Sequence, residues 1–256
     1  MSEENLKKTI REKYESVTDG CGCGTTSCCG EDELTNFADS YEGLQGYQAE
    51  ADLGLGCGLP TKFAAIQPGD TIVDLGSGAG NDVFIARKET GAQGYVIGVD
   101  MVQKMIDKAR RNAEKINAQN VDFRLGEIEE LPIDTGTADV VLSNCVMNLV
   151  PEKTRAFSEV FRILKRGGRF SISDIVHEGE MPESLLQDAD AYAGCVSGSL
   201  PKQRLLDIIN ELGFENLTVA SEKEVPIPEQ MVQEHLGEDE MPGKLLSVTL
   251  TAHKPQ

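Results

Sequence analysis

The 256-residue sequence contains no tryptophan, and its aromatic residues amount to only 5%. This is too few for a surface on which nucleic-acid bases could stack. Positive charge is also scarce, because 24 Lys and Arg stand against 43 Asp and Glu and leave a net charge of −19. Such a chain repels phosphate backbones, so we expect no nucleic-acid partner.

Long apolar runs are missing as well. No segment approaches the roughly 20 apolar residues that cross a bilayer, and residues 1–17 are charged and amphipathic, unlike a signal peptide. We therefore expect a cytoplasmic protein with no membrane partner. In a reducing cytosol, the odd count of seven cysteines favours thiols used as ligands or reactants over a disulfide scaffold.

The sequence divides into three regions by composition. Residues 1–60 contain a predicted helix and a cysteine-rich segment, 61–180 alternate apolar strands with helical patterns, and 181–256 form a smaller C-terminal region. We expect the first region to cover a site on the second, and the third to bind the substrate of that site. The alternation predicts an α/β fold, a Rossmann-like sheet with helices on both faces, and the C-terminal region predicts an α+β addition. Residues 152–168 predict one amphipathic helix that stops at Gly167 and Gly168.

A glycine-rich loop, "VDLGSGAGND", follows the first predicted strand. Gly76, Gly78 and Gly80 allow a tight turn and leave room for a ligand against the backbone. Asp100 ends the second predicted strand, where a carboxylate can accept hydrogen bonds from two ribose hydroxyls. A nicotinamide site is disfavoured, because the dinucleotide fingerprint would need glycine at Asn81.

After the third predicted strand, "RLGEIEEL" places Glu127 and Ile128 where they can bracket an adenine. The glycines could serve turns alone, but turns do not require acidic residues at successive strand ends. The pattern D-L-G-x-G-x-G followed by Asp100 resembles the first motif of the Rossmann-like S-adenosylmethionine-dependent methyltransferases. The resemblance implies that the loop accommodates the methionine part of this donor.

Three cysteines that are distant in the sequence are predicted to meet at one pocket. Cys145 follows the fourth strand in "VVLSNCVMNLV", Cys57 precedes the first strand in "LGLGCGLP", and Cys195 follows the fifth in "DAYAGCVSGSL". Ligands of such sheets bind at the carboxyl ends of the strands, so Cys145 should face the donor's methyl group. A buried apolar cysteine is the alternative, and it fits Cys145 better than the other two, which have glycine neighbours.

Together, "DLGSGAGND", "SNCVMNLV", "LGCGLP" and "AGCVSGSL" resemble the arsenite S-adenosylmethionine methyltransferase family from about residue 40 onward, with "SNCVMNLVP" as the most specific segment. The resemblance implies that Cys57, Cys145 and Cys195 bind arsenic(III) and carry its methylation. With the loop motif, it gives as donor-binding residues Asp74, Gly76, Ser77, Gly78, Gly80, Asp100, Met101, Glu127, Ile128 and Asn144.

The implied chemistry is consistent with these residue types. Trivalent arsenic is soft and prefers thiolate sulfur, and three thiolates leave its lone pair free to attack the sulfonium methyl group. No proton has to be removed, so a general base is dispensable. None of the three histidines, His177, His235 and His253, lies in a catalytic-looking motif.

The segment "CGCGTTSCC" adds Cys21, Cys23, Cys28 and Cys29. The resemblance implies a disulfide between Cys57 and an upstream cysteine, for which Cys28 and Cys29 are the candidates and Cys29 is slightly favoured. This disulfide would reduce the pentavalent product, and a thiol reductant, thioredoxin or a small thiol, would reset it. Exposed thiols on a glycine-rich tip, a poorly spaced zinc site, or arsenic capture by Cys21 and Cys23 are the alternatives.

The first hypothesis for the function is methylation of arsenite, bound as a thiol conjugate, for detoxification. A second is methylation of a small organic carbon or oxygen acceptor, with the cysteines lining an apolar pocket. A third is a thiol-based protein that binds arsenite or a soft metal without catalysis. The intact donor motif weighs against the third, and the glycine-flanked thiols weigh against the second.

Overall fold

The computed structural model describes residues 3–18, 39–186, 192, 196–226, 233–235 and 242–256. Its helices are α1 (Glu3–Thr18), α2 (Pro60–Phe63), α3 (Asn81–Thr90), α4 (Gln103–Lys115), α5 (Lys153–Ile163), α6 (Glu183–Leu186) and α7 (Lys202–Glu211). Its strands are β1 (Thr71–Leu75), β2 (Tyr95–Asp100), β3 (Val121–Leu125), β4 (Ala138–Asn144), β5 (Leu164–Gly179), β6 (Leu200–Pro201), β7 (Glu215–Val225) and β8 (Gly243–His253). The predicted residues Cys21, Cys23, Cys28, Cys29 and Cys195 lie outside the described residues.

All eight strands join one sheet, in the order β3-β2-β1-β4-β5-β8-β7, with β6 paired to β5. The strands β1 to β5 run parallel, and the strand order reverses at β1, between β2 and β4. The C-terminal region adds β8, which is antiparallel to β5 and to β7. The predicted Rossmann-like α/β fold with a C-terminal α+β addition is confirmed.

Helices cover both faces of the sheet. Ile72 of β1 and Val140 of β4 pack with α3 and α4, whereas the next residues along each strand, Val73 and Val141, pack with α5 and α7. Successive strand residues point to opposite faces, so these short strands are apolar throughout. None of the helices described is both long and apolar enough to cross a membrane.

The prediction of one helix over 152–168 was wrong at its C-terminal end. Helix α5 ends at Ile163, and β5 begins at Leu164, which is paired with Ala138 of β4. The ladder shifts register before Arg169 pairs with Val140, and Gly167 has a φ of +71° in this stretch. Strand pairing with β4 therefore overrides the helical pattern of "LKRGG".

The turn after β1 depends on Gly76. Its φ is +68°, and a Cβ atom there would lie 2.4 Å from a side-chain carbon of Val146. Gly136 has almost the same φ, +67°, with nothing within 4 Å of an added Cβ. It provides a matched control in which only the backbone strain is present.

We expect Gly76→Ala to lower the free energy of unfolding by about 2 kcal/mol, because overpacking adds to left-handed strain. Gly136→Ala should cost about 1 kcal/mol, from strain alone. Urea unfolding followed by circular dichroism measures both. Equal losses in the two variants would mean that the contact with Val146 imposes no constraint.

Candidate functional site

A pocket opens at the carboxyl edge of the parallel strands, and we call it the central pocket. Every predicted donor-binding residue except Gly80 lines it: Asp74, Gly76, Ser77, Gly78, Asp100, Met101, Glu127, Ile128 and Asn144. Gly80 instead forms the N-cap of α3 with a φ of +99°. Its missing Cβ leaves room for the Phe84 ring, 2.9 Å from where that atom would be.

Asp100 holds the glycine loop in place. Its carboxylate accepts hydrogen bonds from the backbone N–H groups of Gly78 and Val102, each at 2.9 Å. Burial raises the pKa of Asp100, although these backbone hydrogen bonds oppose the shift. The side chain thus fixes the loop after β1 and the start of α4 at once, and it still faces the central pocket.

Two further carboxylates, Asp74 and Asp82, are buried beside it. Burial raises the pKa of Asp74 well above its usual value, and the charges of Asp82 and Asp100 raise it further. Burial also raises the pKa of Asp82 to about 6. Because three acidic groups crowd one cavity, a ligand that carries positive charge would relieve their mutual repulsion.

Several buried polar atoms at the central pocket have no hydrogen-bond partner among the described residues. They include Ser77 Oγ, Asn81 Oδ1 and Asp82 Oδ1. Buried polar groups are normally paired, so unpaired atoms that line a cavity need a ligand or water to satisfy them. The central pocket is therefore suited to a polar, cationic molecule.

Helix α1 forms one wall of the central pocket through Lys7, Ile10 and Tyr14. Lys7 pairs with Glu127 at 2.9 Å and with Glu129 at 2.9 Å, and Arg11 pairs with Glu127 at 3.0 Å. The hydrogen bond from Lys7 is the main reason that the pKa of Glu127 is lowered. The sequence did not single out Lys7 or Arg11, because an amphipathic pattern does not show which carboxylates a helix meets.

The structure brings together two of the three predicted arsenic-binding cysteines. The Sγ atoms of Cys57 and Cys145 and a carboxylate oxygen of Asp174 all lie within 4.8 Å of one another. Both cysteines are buried. Cys145 has a φ of +58°, and its N–H donates to the carbonyl oxygen of Ser173 at 2.8 Å. This left-handed turn comes directly after the last pair between β4 and β5, Asn144 with Ser173.

Asp174 is a site residue that the sequence reasoning missed. Its carboxylate accepts backbone hydrogen bonds from Ile175 at 2.8 Å and from Asn148 at 3.0 Å. Burial raises its pKa to about 6, against these hydrogen bonds and the nearby Lys153. The available signal was a charged residue inside the apolar strand "SISDIV". Asp174 anchors the segment that follows Cys145, beside the two thiols.

Asn144 connects the segment around Cys57 to the central pocket. Its Oδ1 accepts the Cys57 N–H at 3.0 Å, and its Nδ2 donates to the carbonyl oxygen of Gly58 at 2.9 Å. Nδ2 also donates to the hydroxyl oxygen of Tyr41, which in turn donates to Asp82 Oδ2 at 2.9 Å. Tyr41 and Asp82 were not predicted as site residues, because their contacts join positions far apart in the chain.

Comparisons with known proteins show the family of the chain. A family model described as "Methyltransferase domain" matches residues 66–213. The arsenite methyltransferase of Halobacterium salinarum is 41% identical over 270 residues, which cover 98% of this chain and 67% of that protein. The chain belongs to the arsenite methyltransferase family. The human arsenite methyltransferase is 36% identical over 152 residues, or 56% of this chain and 40% of the human protein.

The fold is also similar to that of solved structures, one of which is an arsenic methyltransferase. The crystal structure of an arsenic(III) S-adenosylmethionine methyltransferase from Chlamydomonas reinhardtii has a TM-score of 0.69 and 30% identity, and the match covers 78% of this chain and 68% of that one. The YcgJ protein of Bacillus, at 19% identity and a TM-score of 0.61, shares the fold alone. The chain spans about two thirds of the archaeal relative and less than half of the human one.

Proposed function

We propose that this chain methylates trivalent arsenic, with S-adenosylmethionine as the methyl donor and arsenite, carried as a thiol conjugate, as the substrate. The products would be methylated arsenicals, and the role detoxification. The observation that carries the proposal is that the buried side chains of Cys57 and Cys145 lie close together and that Cys145 also lines the central pocket. The names of the archaeal, human and algal relatives support the same activity.

The central pocket fits the donor in charge and in hydrogen bonding. S-adenosylmethionine carries a sulfonium and an ammonium group, and Asp74, Asp82 and Asp100 supply buried negative charge. Asp100 would accept hydrogen bonds from the ribose hydroxyls, as it does from Gly78 now. Ile128 is buried at the pocket wall and would contact the adenine. When bound, the donor supplies an electrophilic methyl group.

The two thiols, with Cys195 proposed as the third, would hold the arsenic as thiolates. Soft arsenic(III) prefers sulfur, and its lone pair then takes the methyl group as the donor's carbon–sulfur bond breaks. Positioning of the two reactants is the main contribution of the protein, and this effect can be worth about 7–11 kcal/mol. Cys145 is the residue best placed to orient the lone pair, because it belongs to both the thiol pair and the pocket wall.

The redox half of the cycle is also proposed. Cys57 and either Cys29 or Cys28 would lose two electrons and two protons as they form a disulfide, and pentavalent arsenic would gain the two electrons. Thioredoxin or a small thiol would then reduce the disulfide.

We also propose the division into a covering segment (1–60), a donor-binding domain (61–180) and an arsenic-binding region (181–256). In its support, α1 lines the central pocket.

The direct test is to incubate the reduced protein with S-adenosylmethionine, arsenite and a thiol, and to separate the arsenicals by chromatography with elemental detection. We expect methylated arsenic that increases with time and with protein concentration. Calorimetry with the donor runs beside it. Donor binding without methylated arsenic, over several thiols, would favour an organic acceptor, and absence of donor binding would favour a thiol-based binding protein.

Asp100→Asn tests the donor site. We expect it to weaken donor binding about tenfold, because hydrogen bonds to a charged group are worth about 1.5–3 kcal/mol and the amide keeps only part of them. Asp134→Asn, at an exposed position, is the matched control and should leave binding unchanged. Calorimetric titration with S-adenosylhomocysteine measures both. Equal affinity in the two variants would remove Asp100 from the donor site.

A further inference from the structure

Asp174 is a buried carboxylate to which the proposed methylation gives no chemical role. It lies in β5, and one of its oxygens and the sulfur atoms of Cys57 and Cys145 are all within 4.8 Å of one another. Asp174 is 2% exposed, Cys57 1% and Cys145 5%. Acidic side chains are almost never buried this deeply unless they are paired or bind a metal ion. We call these three side chains the Asp174 cluster.

Ser173, the residue before Asp174, fixes the relative positions of the three members of the cluster. Its carbonyl oxygen accepts a hydrogen bond from the Cys145 N–H at 2.8 Å. Its side chain lies against Gly58, the residue after Cys57, where an added Cβ would lie 2.7 Å from Ser173 Cβ. Three separate segments of the chain thus meet at one point of β5, and they do so only in the folded protein.

The carboxylate of Asp174 is held by backbone N–H groups. Its Oδ1 accepts a hydrogen bond from Ile175 at 2.8 Å, and its Oδ2 accepts one from Asn148 at 3.0 Å. A further backbone hydrogen bond comes from Met147. Because an ionised carboxylate has about four acceptor positions, a position remains for an ion. Hydrogen bonds of this kind orient the ligands of metal sites.

Two sulfur atoms and one carboxylate oxygen favour zinc over other ions. Thiolates select soft or borderline ions such as Cu(I) and Zn²⁺, and of these two Zn²⁺ is the one that also binds carboxylates readily. Calcium and magnesium prefer oxygen ligands and would not use the thiols. Three protein ligands are typical of an open zinc site, in which a water molecule completes the tetrahedron.

The spacing of the three atoms is close to that of a zinc site. Zinc–sulfur bonds are about 2.3 Å and zinc–oxygen bonds about 2.0–2.2 Å long, so neighbouring ligand atoms in a tetrahedral site are about 3.6–3.8 Å apart. The atoms of the Asp174 cluster, all within 4.8 Å, therefore need to approach one another by about 1 Å at most.

We propose that Cys57, Cys145 and Asp174 form a binding site for Zn²⁺, in which two thiolates, one carboxylate and a water molecule surround the ion. Each cysteine gives its proton to the solvent as its sulfur binds, and no electron is transferred. This site goes beyond the proposed methylation and does not depend on it. Arsenic(III) prefers a third thiol, proposed as Cys195, to a carboxylate.

The consequence is that the two ions exclude each other. Zinc and arsenic(III) share Cys57 and Cys145, and they differ in the third ligand, which is Asp174 for zinc and Cys195 for arsenic. Zinc would therefore keep the two shared thiols occupied, and arsenic would bind only as zinc leaves.

The test is titration of the reduced protein with Co²⁺, which occupies zinc sites and, unlike zinc, absorbs visible light. The unmodified protein should bind one Co²⁺ with a thiolate charge-transfer band and the intense visible bands of a tetrahedral site, and Zn²⁺ should remove both. Cys57→Ser and Cys145→Ser should each lose this one equivalent. The cysteines of the N-terminal segment other than the one at position 57 are the same in every sample, so any binding by them cancels in the difference spectra.

Two further variants identify the third ligand. Asp174→Asn should weaken Co²⁺ binding at least about a hundredfold, because even the loss of a group that only orients a metal ligand costs about 10–100-fold. Cys195→Ser should bind Co²⁺ as the unmodified protein does, whereas a site made of three thiols predicts the reverse. Asp134→Asn, at an exposed position, is the matched control for the loss of one charge. Circular dichroism verifies that the variants are folded.

X-ray absorption at the zinc edge counts the ligands in the unmodified protein, without any substitution of Asp174. With one equivalent of Zn²⁺, we expect two sulfur atoms at about 2.3 Å and two oxygen atoms at about 2.0–2.2 Å. Three or four sulfur atoms would overturn the inference, as would equal Co²⁺ affinity in Asp174→Asn and Asp134→Asn, or loss of binding in Cys195→Ser. Neither arsenic nor a methyl donor is present, so the result is separate from that of the methylation assay.

Discussion

Arsenic methylation is expected to fall at least about a thousandfold in Cys145→Ser, because most of the proposed rate enhancement comes from positioning the arsenic lone pair. A serine hydroxyl is a hard oxygen ligand with a weak preference for arsenic(III). Cysteine and serine are similar in size and have the same difficulty with the φ of +58° at this position. The substitution should therefore leave the turn and the central pocket in place.

The measurement is methylated arsenic per unit time at saturating donor and arsenite. Calorimetry with S-adenosylhomocysteine should give the same affinity for Cys145→Ser as for the unmodified protein, which shows that the pocket is intact. Cys23→Ser, at a cysteine to which the proposal gives no catalytic role, is the matched control and should keep its activity. If the activity of Cys145→Ser stayed within a few-fold of the control, Cys145 would be a buried apolar residue and not an arsenic ligand.

Asp82→Asn is expected to stabilise the protein without ligand and to weaken donor binding. The pKa of Asp82 is raised to about 6 in the fold, chiefly by burial, whereas an unfolded Asp titrates near about 3.9. The stability that the protonated Asp82 side chain contributes is thus fully present below about pH 4 and is lost as the pH rises through about 6. At pH 7.5 the buried charge costs about 3 kcal/mol.

Asparagine removes that cost and can keep the acceptor that Tyr41 and Asn144 use. We expect a gain of about 2 kcal/mol in the free energy of unfolding at pH 7.5, and a gain near zero at pH 4.5. The affinity for S-adenosylhomocysteine should fall at least about tenfold, because an amide cannot pair with an ammonium group as a carboxylate does. Urea unfolding at the two pH values and calorimetry at pH 7.5 give these quantities.

The exposed substitution Asp134→Asn controls for the general effect of removing one charge from an acidic chain. It should change neither the pH dependence of unfolding nor the ligand affinity. If Asp82→Asn destabilised the protein at pH 7.5, the carboxylate would be stabilising the fold. The prediction that this carboxylate lowers stability while it strengthens donor binding would then be wrong.

Features set by local pattern could be predicted from the sequence. Asp100 ends β2 as expected, because a short apolar run followed by a helical pattern marks the strand end. The proximity of Cys57 and Cys145 followed from a topological rule, since segments at the carboxyl edge of a parallel sheet converge. The donor-binding assignments themselves remain predictions, although all of those residues except Gly80 line one cavity.

The features that could not be predicted from the sequence depend on contacts between distant segments. Tyr41 meets Asp82 and Asn144 only after the chain has folded, and no periodicity marks that contact. Asp174 lies inside a strand, where the apolar pattern conceals its place beside two thiols. The boundary at Ile163 was missed because pairing with β4 competes with helix propensity, and only the sheet determines which prevails.

The position of β8 in the sheet has a consequence for the order of folding. Among the described strands, β7 pairs only with β8, which lies between β5 and β7 although it comes last of the three in the chain. Ser247 of β8 also donates a hydrogen bond to the carbonyl oxygen of Cys57. During synthesis, therefore, the Cys57 segment lacks this anchor until the chain has grown past residue 247, and the thiol pair takes its final geometry only after nearly all of the sheet has been made.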